Sequence, residues 1–116
     1  MLTKITAQYR WFEGATFDHA YYATKHMKIT LDAVKGFGHV RLESEQVQWP
    51  QGEKSGQVVA ATSVYFPDMS RAQAALAAAG DALRTDLVNY TNIRPEMRIA
   101  QVSSHQPASW QFGPAG

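Results

Sequence analysis

The alternation of hydrophobic and polar residues predicts a strand, a helix and a second strand in the first half of the chain. Apolar and polar side chains alternate over residues 2–11, which is the period of a strand with one buried face. Thr16 is a suitable N-cap for a helix over residues 16–34. Gly36 suits the position that follows a helix C-terminus, and residues 36–49 then alternate as a second strand.

The second half of the chain repeats this order. Residues 50–56 are polar and contain glycine, which is typical of a hairpin loop. Residues 57–66 are apolar or small almost throughout and predict a third strand. A second helix is expected to begin at Asp68 or Ser70 and to close at Gly80, because glycine commonly ends a helix.

A short helical turn over residues 81–88 and a last strand over residues 94–103 complete the pattern. The element order is therefore β-α-β-β-α-β. This is the α+β, ferredoxin-like arrangement, a four-stranded antiparallel sheet with both helices on one face and strands one and three in the centre. We expect one domain over residues 1–104 and an irregular tail over residues 105–116.

The third strand predicts how the chain associates. It is apolar or small on both faces, whereas the two helices can cover only one face of the sheet. A second copy of the chain, packed sheet to sheet, would cover the other face, so the pattern favours a homodimer. The alternative is that Trp110 and Phe112 in the tail fold back over the same face.

Composition narrows the class of protein further. The net charge of the 116 residues is +1 and no basic stripe is present, so a nucleic-acid partner is not expected. The chain has no cysteine, which excludes disulfides and thiolate catalysis and suits the cytoplasm. No apolar run approaches the roughly 18–20 residues of a membrane span. We therefore expect a small cytoplasmic protein with no membrane contact.

Three segments of the chain carry the resemblance to a known family. They are Phe17-Asp18-His19-x-Tyr21-Tyr22-x-x-x-His26-Met27, then Gly36-Phe37, and later Asn89-Tyr90-Thr91-Asn92-Ile93-x-Pro95. Together they resemble the EthD family, small proteins named from a gene cluster for ethyl tert-butyl ether degradation. The resemblance extends from about residue 2 to residue 103. One departure is Lys28, where the family usually has proline, so the helix can continue without a kink.

This resemblance implies a dimeric α+β barrel, in which two ferredoxin-like sheets pack face to face. It implies much less about chemistry. Related barrels include polyketide cyclases, cofactor-independent monooxygenases, muconolactone isomerases and haem-binding or haem-degrading proteins. Analogy of fold across such a set says little about the reaction of one member.

The first helix holds the candidate site. At about 100° per residue it carries two nearly opposite stripes: Phe17, Ala20, Tyr21, Thr24, Met27 and Leu31 on one, and His19, Tyr22, Ala23 and His26 on the other. In one interpretation Tyr22 and His26 face a cleft. His26 would be the general base or acid, and Tyr22 would donate a hydrogen bond to a developing oxyanion.

In the other interpretation Phe17, Tyr21, Met27 and Leu31 form the buried stripe, and the histidines face water or the dimer interface. The resemblance favours the first interpretation for His26, since that residue matches the family motif. For His19 the second interpretation is preferred.

Other candidates for chemistry are weaker. His19 and His26 are seven residues apart, too far for a zinc-binding pair on one helix, so neither a metal nor another cofactor is expected. His39 could meet His26 across the cleft or lie on the sheet surface, and the surface position is preferred. Tyr90 could shape the pocket wall, but the role of a packed aromatic where the last strand begins is preferred. A lone histidine could ligate haem, which is a minor option.

These observations give two functional hypotheses. In both, an EthD-like homodimer binds a small hydrophobic or aromatic molecule in a mostly apolar cleft between sheet and helices. The first adds cofactor-independent acid–base catalysis in catabolism or secondary metabolism, with His26 and Tyr22 as the catalytic residues. The second is a non-catalytic ligand-binding or accessory protein that uses the same cleft.

Overall fold

The four strands form one antiparallel sheet. The computed structural model describes residues 1–50 and 53–105, so residues 106–116 of the predicted tail, with Trp110 and Phe112, lie outside the described residues. The strands are β1 (Thr3–Arg10), β2 (Arg41–Gln46), β3 (Val58–Phe66) and β4 (Glu96–Gln101), in the spatial order β2-β3-β1-β4. The prediction that strands one and three are central is confirmed.

The helical segments cover one face of this sheet. They are α1 (His19–Tyr21), a π-helical turn (Tyr22–His26), α2 (Met27–Val34) and α3 (Met69–Asp86), with 3₁₀ turns at Lys35–Phe37 and Leu87–Asn89. The chain is therefore α+β with the predicted ferredoxin-like βαββαβ order. Within residues 1–50 and 53–105, no helix is long and apolar enough to cross a membrane.

The first helix begins later than predicted. Its N-cap is Asp18, whose carboxylate accepts a hydrogen bond from the backbone N–H of Tyr21 at 3.0 Å, as N-cap carboxylates do. Thr16 lies outside the helix. Its N–H donates to Asn92 Oδ1 at 2.8 Å, and its carbonyl, which an N-cap would use for the first helical hydrogen bond, accepts from Thr91 Oγ1 at 2.6 Å. The entrance to the helix is thus tied to the segment that precedes β4.

The second strand is shorter than the predicted range of 36–49. Residues Lys35–Phe37 continue the helical segment as a 3₁₀ turn, and Gly38 follows with a φ of 71°. A left-handed conformation of this kind favours glycine and closes the helical segment. The glycine that ends the helix is therefore Gly38 rather than Gly36, and regular β2 pairing starts only at Arg41.

The second helix does not close at Gly80. It runs through that residue to Asp86, so the predicted separate turn over residues 81–88 is wrong. A glycine inside a helix costs only about 1 kcal/mol relative to alanine. Burial of Ala72, Ala75 and Ala79 along one side of α3 offsets that cost.

The core lies between the sheet and the helices. Ile5 of β1 and Val64 and Phe66 of β3 point to the helical side, where they pack against Val34 of α2 and the alanines of α3. The alternation that predicted β1 thus places its apolar residues toward the helices.

The other side of the sheet, called the open face here, is more polar than the third strand suggested. Across strands β2, β3 and β1 its rows are Arg41–Tyr65–Lys4, Glu43–Ser63–Thr6 and Glu45–Ala61–Gln8. The residues of β3 that turn away from the helices are therefore Ala61, Ser63 and Tyr65. Charged side chains flank them, so the apolar residues of β3 are a weaker argument for a dimer than the sequence suggested.

Candidate functional site

A cavity of about 710 Å³ lies between the sheet and the helices. Its volume is within the range of about 300–1,000 Å³ that is usual for small-molecule sites. Most of its wall is apolar, including Val34, Leu76 and Leu83. Its polar wall groups include His26, Tyr9, Tyr90, Thr30 and Thr62. The cavity therefore combines an apolar body with one cluster of groups that can exchange or donate protons.

His26 is buried at the wall of this cavity, with 5% of its surface exposed. Its Nδ1 lies 2.8 Å from Oδ2 of Asp86, which is itself 7% exposed. Because an ionised carboxylate can only accept a hydrogen bond, this contact keeps a proton on Nδ1. In the neutral ring Nε2 then carries the free lone pair, which is the arrangement of a general base.

Asp86 is held in place by two further donors. Its Oδ1 accepts hydrogen bonds from Tyr21 Oη at 2.7 Å and from Asn89 Nδ2 at 2.9 Å. Burial raises the pKa of Asp86, but hydrogen bonds from Asn89, His26 and Tyr21 outweigh it and leave the pKa below its ordinary value. Asp86 is therefore an anion fixed beside the imidazole, able to stabilise it in the charged form.

The other nitrogen of His26 faces two tyrosine hydroxyls. Tyr90 Oη lies 3.3 Å from Nε2, and Tyr9 Oη lies 2.7 Å from Tyr90 Oη. Burial raises the pKa of both phenols, and the effect is large. Both hydroxyls thus stay protonated at neutral pH. With Nε2 unprotonated, Tyr90 donates its hydroxyl proton to Nε2 and Tyr9 donates to Tyr90 Oη.

Tyr22, the second residue singled out in the sequence, lies behind this wall. It is buried, its hydroxyl is hydrogen-bonded to that of Thr62, and its ring stacks on His26 with centroids 5.4 Å apart and planes at 13°. Thr62 lines the cavity, whereas Tyr22 is not among the lining residues. Burial also raises the pKa of the Tyr22 phenol. Tyr22 reaches the cavity through Thr62 and supports the imidazole from one side.

His26 and Tyr22 point into the core, whereas part of the other stripe, Phe17, Tyr21, Met27 and Leu31, is exposed to solvent. Leu31 is 43% exposed, while the buried residues of this segment are Tyr22, His26, Thr30 and Val34. The interpretation in which His26 faces water is therefore wrong. A polar stripe can be buried here because both ring nitrogens of His26 have partners, which removes most of the cost of burial.

A π-helical turn supplies His26. Residues Tyr22–His26 form this wider turn, with a short α-helical turn before it and α2 after it. Such turns are rare and occur often at functional sites. Thr30 Oγ1 donates to the carbonyl of His26 at 2.8 Å, which ties the end of the turn to α2. The turn thus sets the direction in which His26 enters the core.

The remaining histidines do not join the cluster. His19 is half-buried against the ring of Phe17, with centroids 4.6 Å apart, and is absent from the cavity lining. Burial lowers the pKa of His19, although Glu53 and Asp18 act in the opposite direction. His39 precedes β2 and does not line the cavity either. In the described part of the chain, no three histidine, aspartate or glutamate side chains are placed to hold a metal ion.

A haem would need Nε2 of His26 as its axial ligand, since Nδ1 is bound to Asp86. That nitrogen faces the Tyr90 hydroxyl at 3.3 Å. The Tyr90 side chain would have to move away before iron could reach that nitrogen, whereas a proton needs only rotation of the hydroxyl, so the residues do not fit a haem site.

The sequence interpretation missed two members of the cluster, Asp86 and Tyr9. For Tyr90 it preferred a packing role to a position on the pocket wall, although Tyr90 does line the cavity. Asp86 did carry a signal. It is the last residue of α3, where the helix dipole disfavours an anion, so a carboxylate there indicates a specific partner. This signal depends on the end of the helix, which the sequence placed at Gly80. Tyr9 carried no such signal, because an aromatic residue at an inward strand position is ordinary core.

Comparison with known proteins is informative at the level of structure. No family model matches the sequence, and no curated protein is significantly similar to it. Solved structures do match. An EthD-like protein from Ralstonia eutropha JMP134 has 26% sequence identity and a TM-score of 0.75, covering 90% of this chain and 95% of its own.

Two further solved structures are similar over nearly the whole chain. An EthD-family protein from Bacillus halodurans C-125 has 19% identity and a TM-score of 0.64, with 89% of this chain and 100% of that chain covered. SnoaB, a cofactor-independent oxygenase from Streptomyces nogalater, has 15% identity and a TM-score of 0.52, with 92% and 97% covered. These two structures show the fold. The predicted EthD resemblance is confirmed by the 26% identical EthD-like protein.

Proposed function

We propose that this EthD-like chain binds a small hydrophobic or aromatic molecule in the cavity and moves a proton on it, with His26 as the general base. The observation that carries the proposal is the hydrogen-bonded line from Asp86 through His26 to Tyr90, which ends on the cavity wall. Each member of the line is buried, and buried polar groups in such a line fix one another's orientation.

The proposed step is removal of a proton from carbon next to a carbonyl group. The C–H proton moves to Nε2 of His26, and the electron pair left on carbon passes to the carbonyl oxygen. Asp86 stabilises the imidazolium through Nδ1–H. The Tyr90 hydroxyl turns its proton from Nε2 to the oxyanion, and Tyr9 donates to Tyr90 Oη. Return of the proton to the same carbon gives exchange with solvent, and return to the far carbon of a conjugated carbon–carbon double bond, where the ligand has one, gives an isomer. The step requires no cofactor.

Tyr22 keeps a place in this proposal. The sequence assigned it the oxyanion contact, and that role stays a prediction, since its hydroxyl is directed at Thr62. Its stack on His26 supports a positioning role. Tyr22→Phe is expected to lower the rate less than His26→Gln, because the stacked ring remains in place.

A non-catalytic binding function is the second candidate, and the covering of Nε2 by Tyr90 favours it. With 5% of its surface exposed and a hydroxyl at 3.3 Å from its free nitrogen, His26 can also act as a fixed hydrogen-bonding group. The cluster would then orient a ligand in the cavity without reacting with it. Both candidates use the same cavity, so measurement of turnover separates them.

We also propose a homodimer formed through the open face, in the cytoplasm. Support comes from the centre of that face, where Thr6 and Ser63 are buried and their hydroxyls lie 3.4 Å apart, so a partner sheet could pack there without desolvating a charge. Charged residues of both signs lie at the edge strands, including Arg41, Glu43 and Arg98. These could pair across a two-fold axis. The absence of cysteine suits a reducing compartment.

Solvent exchange on a probe ketone tests the proposed reaction. 2-Tetralone has an aromatic body and acidic C–H bonds beside its carbonyl, and its exchange in D₂O is followed by NMR. The protein should accelerate exchange, and His26→Gln should lose about 100-fold of that acceleration or more, the usual contribution of a general base. His19→Gln is the matched control, because His19 lies on the same helical segment outside the cavity.

Equal acceleration by the His26→Gln protein would contradict the assignment of the base. Binding of 2-tetralone with no acceleration of exchange by the wild-type protein would support the non-catalytic function instead.

A further inference from the structure

Two arginines line a cavity whose wall is otherwise uncharged apart from the histidine. Arg84 of α3 and Arg94, which precedes β4, are both lining residues and both exposed. Met97, a third lining residue, is 49% exposed. These exposed members of the wall mark the side on which the cavity meets solvent, between α3 and the start of β4. The opening is therefore positively charged.

Arg84 has room to lie along the cavity wall because residue 80 is glycine. A Cβ placed on Gly80 would lie 3.1 Å from Arg84 Nη1, closer than an ordinary contact. The φ angle of Gly80 is not positive, so the backbone conformation does not require a glycine at this position. What the glycine provides is space for the guanidinium. Arg84 also pairs with Asp81, which neutralises one of the two arginine charges.

Arg94 contributes the uncompensated charge. Over residues 1–50 and 53–105, its side chain makes no hydrogen bond or ion pair, whereas Arg10, Arg41 and Arg84 each do. No aspartate or glutamate belongs to the described cavity lining. Asp86, the carboxylate of the buried cluster, is already bound by His26, Tyr21 and Asn89. The guanidinium of Arg94 can therefore bind an anion at the opening.

We propose that the natural ligand ends in a carboxylate, which Arg94 and Arg84 bind at the opening while the apolar body fills the cavity. A planar guanidinium matches a carboxylate with two parallel hydrogen bonds, and the neighbouring apolar wall strengthens the attraction. The ligand's carbonyl or hydroxyl group would then lie at the His26 end. This inference rests on the proposed function, because it names the class of molecule that the same cavity takes.

A matched pair of probes tests the proposal. 2-Naphthoate and 2-naphthamide share one aromatic body and differ in charge, and calorimetry gives their affinities at low ionic strength. The wild-type protein should bind 2-naphthoate about tenfold more tightly, the scale of one good charged hydrogen-bonded contact. The variant with both Arg84→Gln and Arg94→Gln should bind the two probes about equally.

Arg98→Gln is the control variant, since it removes the same charge from the open face, opposite Thr6 and away from the cavity. It should keep the preference for 2-naphthoate. Gly80→Ala should weaken the preference in part, by displacing the Arg84 guanidinium. Circular dichroism confirms folding of each variant, and Arg84 and Arg94 are exposed, so the replacements leave the core intact.

Equal affinity of the wild-type protein for the two probes would overturn the proposed carboxylate while leaving ligand binding in the cavity intact. An unchanged preference in the double variant would overturn the assignment to these arginines. Absence of binding by either probe would overturn this proposal and the ligand-binding part of the proposed function together.

Discussion

The two faces of the sheet both carry polar groups on their central strands, but they accommodate them in different ways. On the helical side, Tyr9 belongs to a line of buried groups that includes His26 and Asp86. On the open face, Thr6 and Ser63 are buried as a small neutral pair, while the charges remain exposed at the edges. Burial of ionisable groups costs free energy unless each group is paired. The paired, buried groups on the helical side therefore mark that side as the candidate functional site.

The largest expected effect comes from removing the anion on the helical side. Asp86 accepts three hydrogen bonds, and Asp86→Asn replaces its carboxylate by a neutral amide. The donors of His26 and Tyr21 then no longer face an anion. We expect a loss of about 3 kcal/mol in the free energy of unfolding, as when one partner of a buried ion pair is removed. Urea denaturation measures it. Asp81→Asn, an exposed carboxylate of the same helix, is the control and should change stability little.

A loss in Asp86→Asn no larger than that in Asp81→Asn would show that the two carboxylates are equivalent. The contrast between the buried cluster and the exposed charges would then not hold.

A pH series sharpens the same comparison. The pKa of Asp86 is lowered in the folded state, so its stabilisation is fully present above the unfolded-state value of about 3.9 and is lost as pH falls through the folded-state value. The difference in unfolding free energy between the wild type and Asp86→Asn should therefore shrink below about pH 4. Exposed carboxylates such as Glu96 are present in both proteins, so their contributions to this difference in unfolding free energy cancel. A difference that stayed constant down to about pH 3 would contradict the ion pair.

The smallest effect on chain stability is expected on the open face, where association is the quantity to measure. Ser63→Arg places a long charged side chain at the centre of that face and should hold two sheets apart. Light scattering at micromolar concentration should give the mass of two chains for the wild type and of one chain for Ser63→Arg. Ser70→Arg, at an exposed position of α3, should leave the dimer intact. A wild-type protein with the mass of one chain would contradict the proposed dimer.

The alternation of apolar and polar residues along the chain was sufficient to predict the fold. Alternation in β1 placed Ile5 and Tyr9 on the helical side, and the element order gave the sheet topology. The predictions that were wrong concern the helix ends, where a glycine in the sequence has more than one structural explanation. Gly80 looked like a helix end, yet a glycine can also provide space, and the left-handed glycine that closes the first helical segment is Gly38.

The site was predictable only in part. His26 could be singled out from the helix motif, but its partner Asp86 is 60 residues away in the sequence. A pairing of this range depends on how α2 and α3 pack, and no local pattern encodes it. The same applies to the hydroxyl contact between Tyr9 and Tyr90, which joins the first strand to the segment before the last. The direction of the inward stripe also depended on a π-helical turn, which a wheel at about 100° per residue does not represent.

The proposed reaction depends on Asp86, which holds a proton on Nδ1 of His26 and so leaves the lone pair of Nε2 to act as a base toward the cavity. Two-dimensional NMR of the ¹⁵N-labelled protein reads the protonation of both ring nitrogens directly, at a pH well above neutrality where a free imidazole is uncharged. We expect a protonated Nδ1 and an unprotonated Nε2 in the wild type, and loss of this single tautomer in Asp86→Asn. A proton found on Nε2 with a bare Nδ1 would contradict the account.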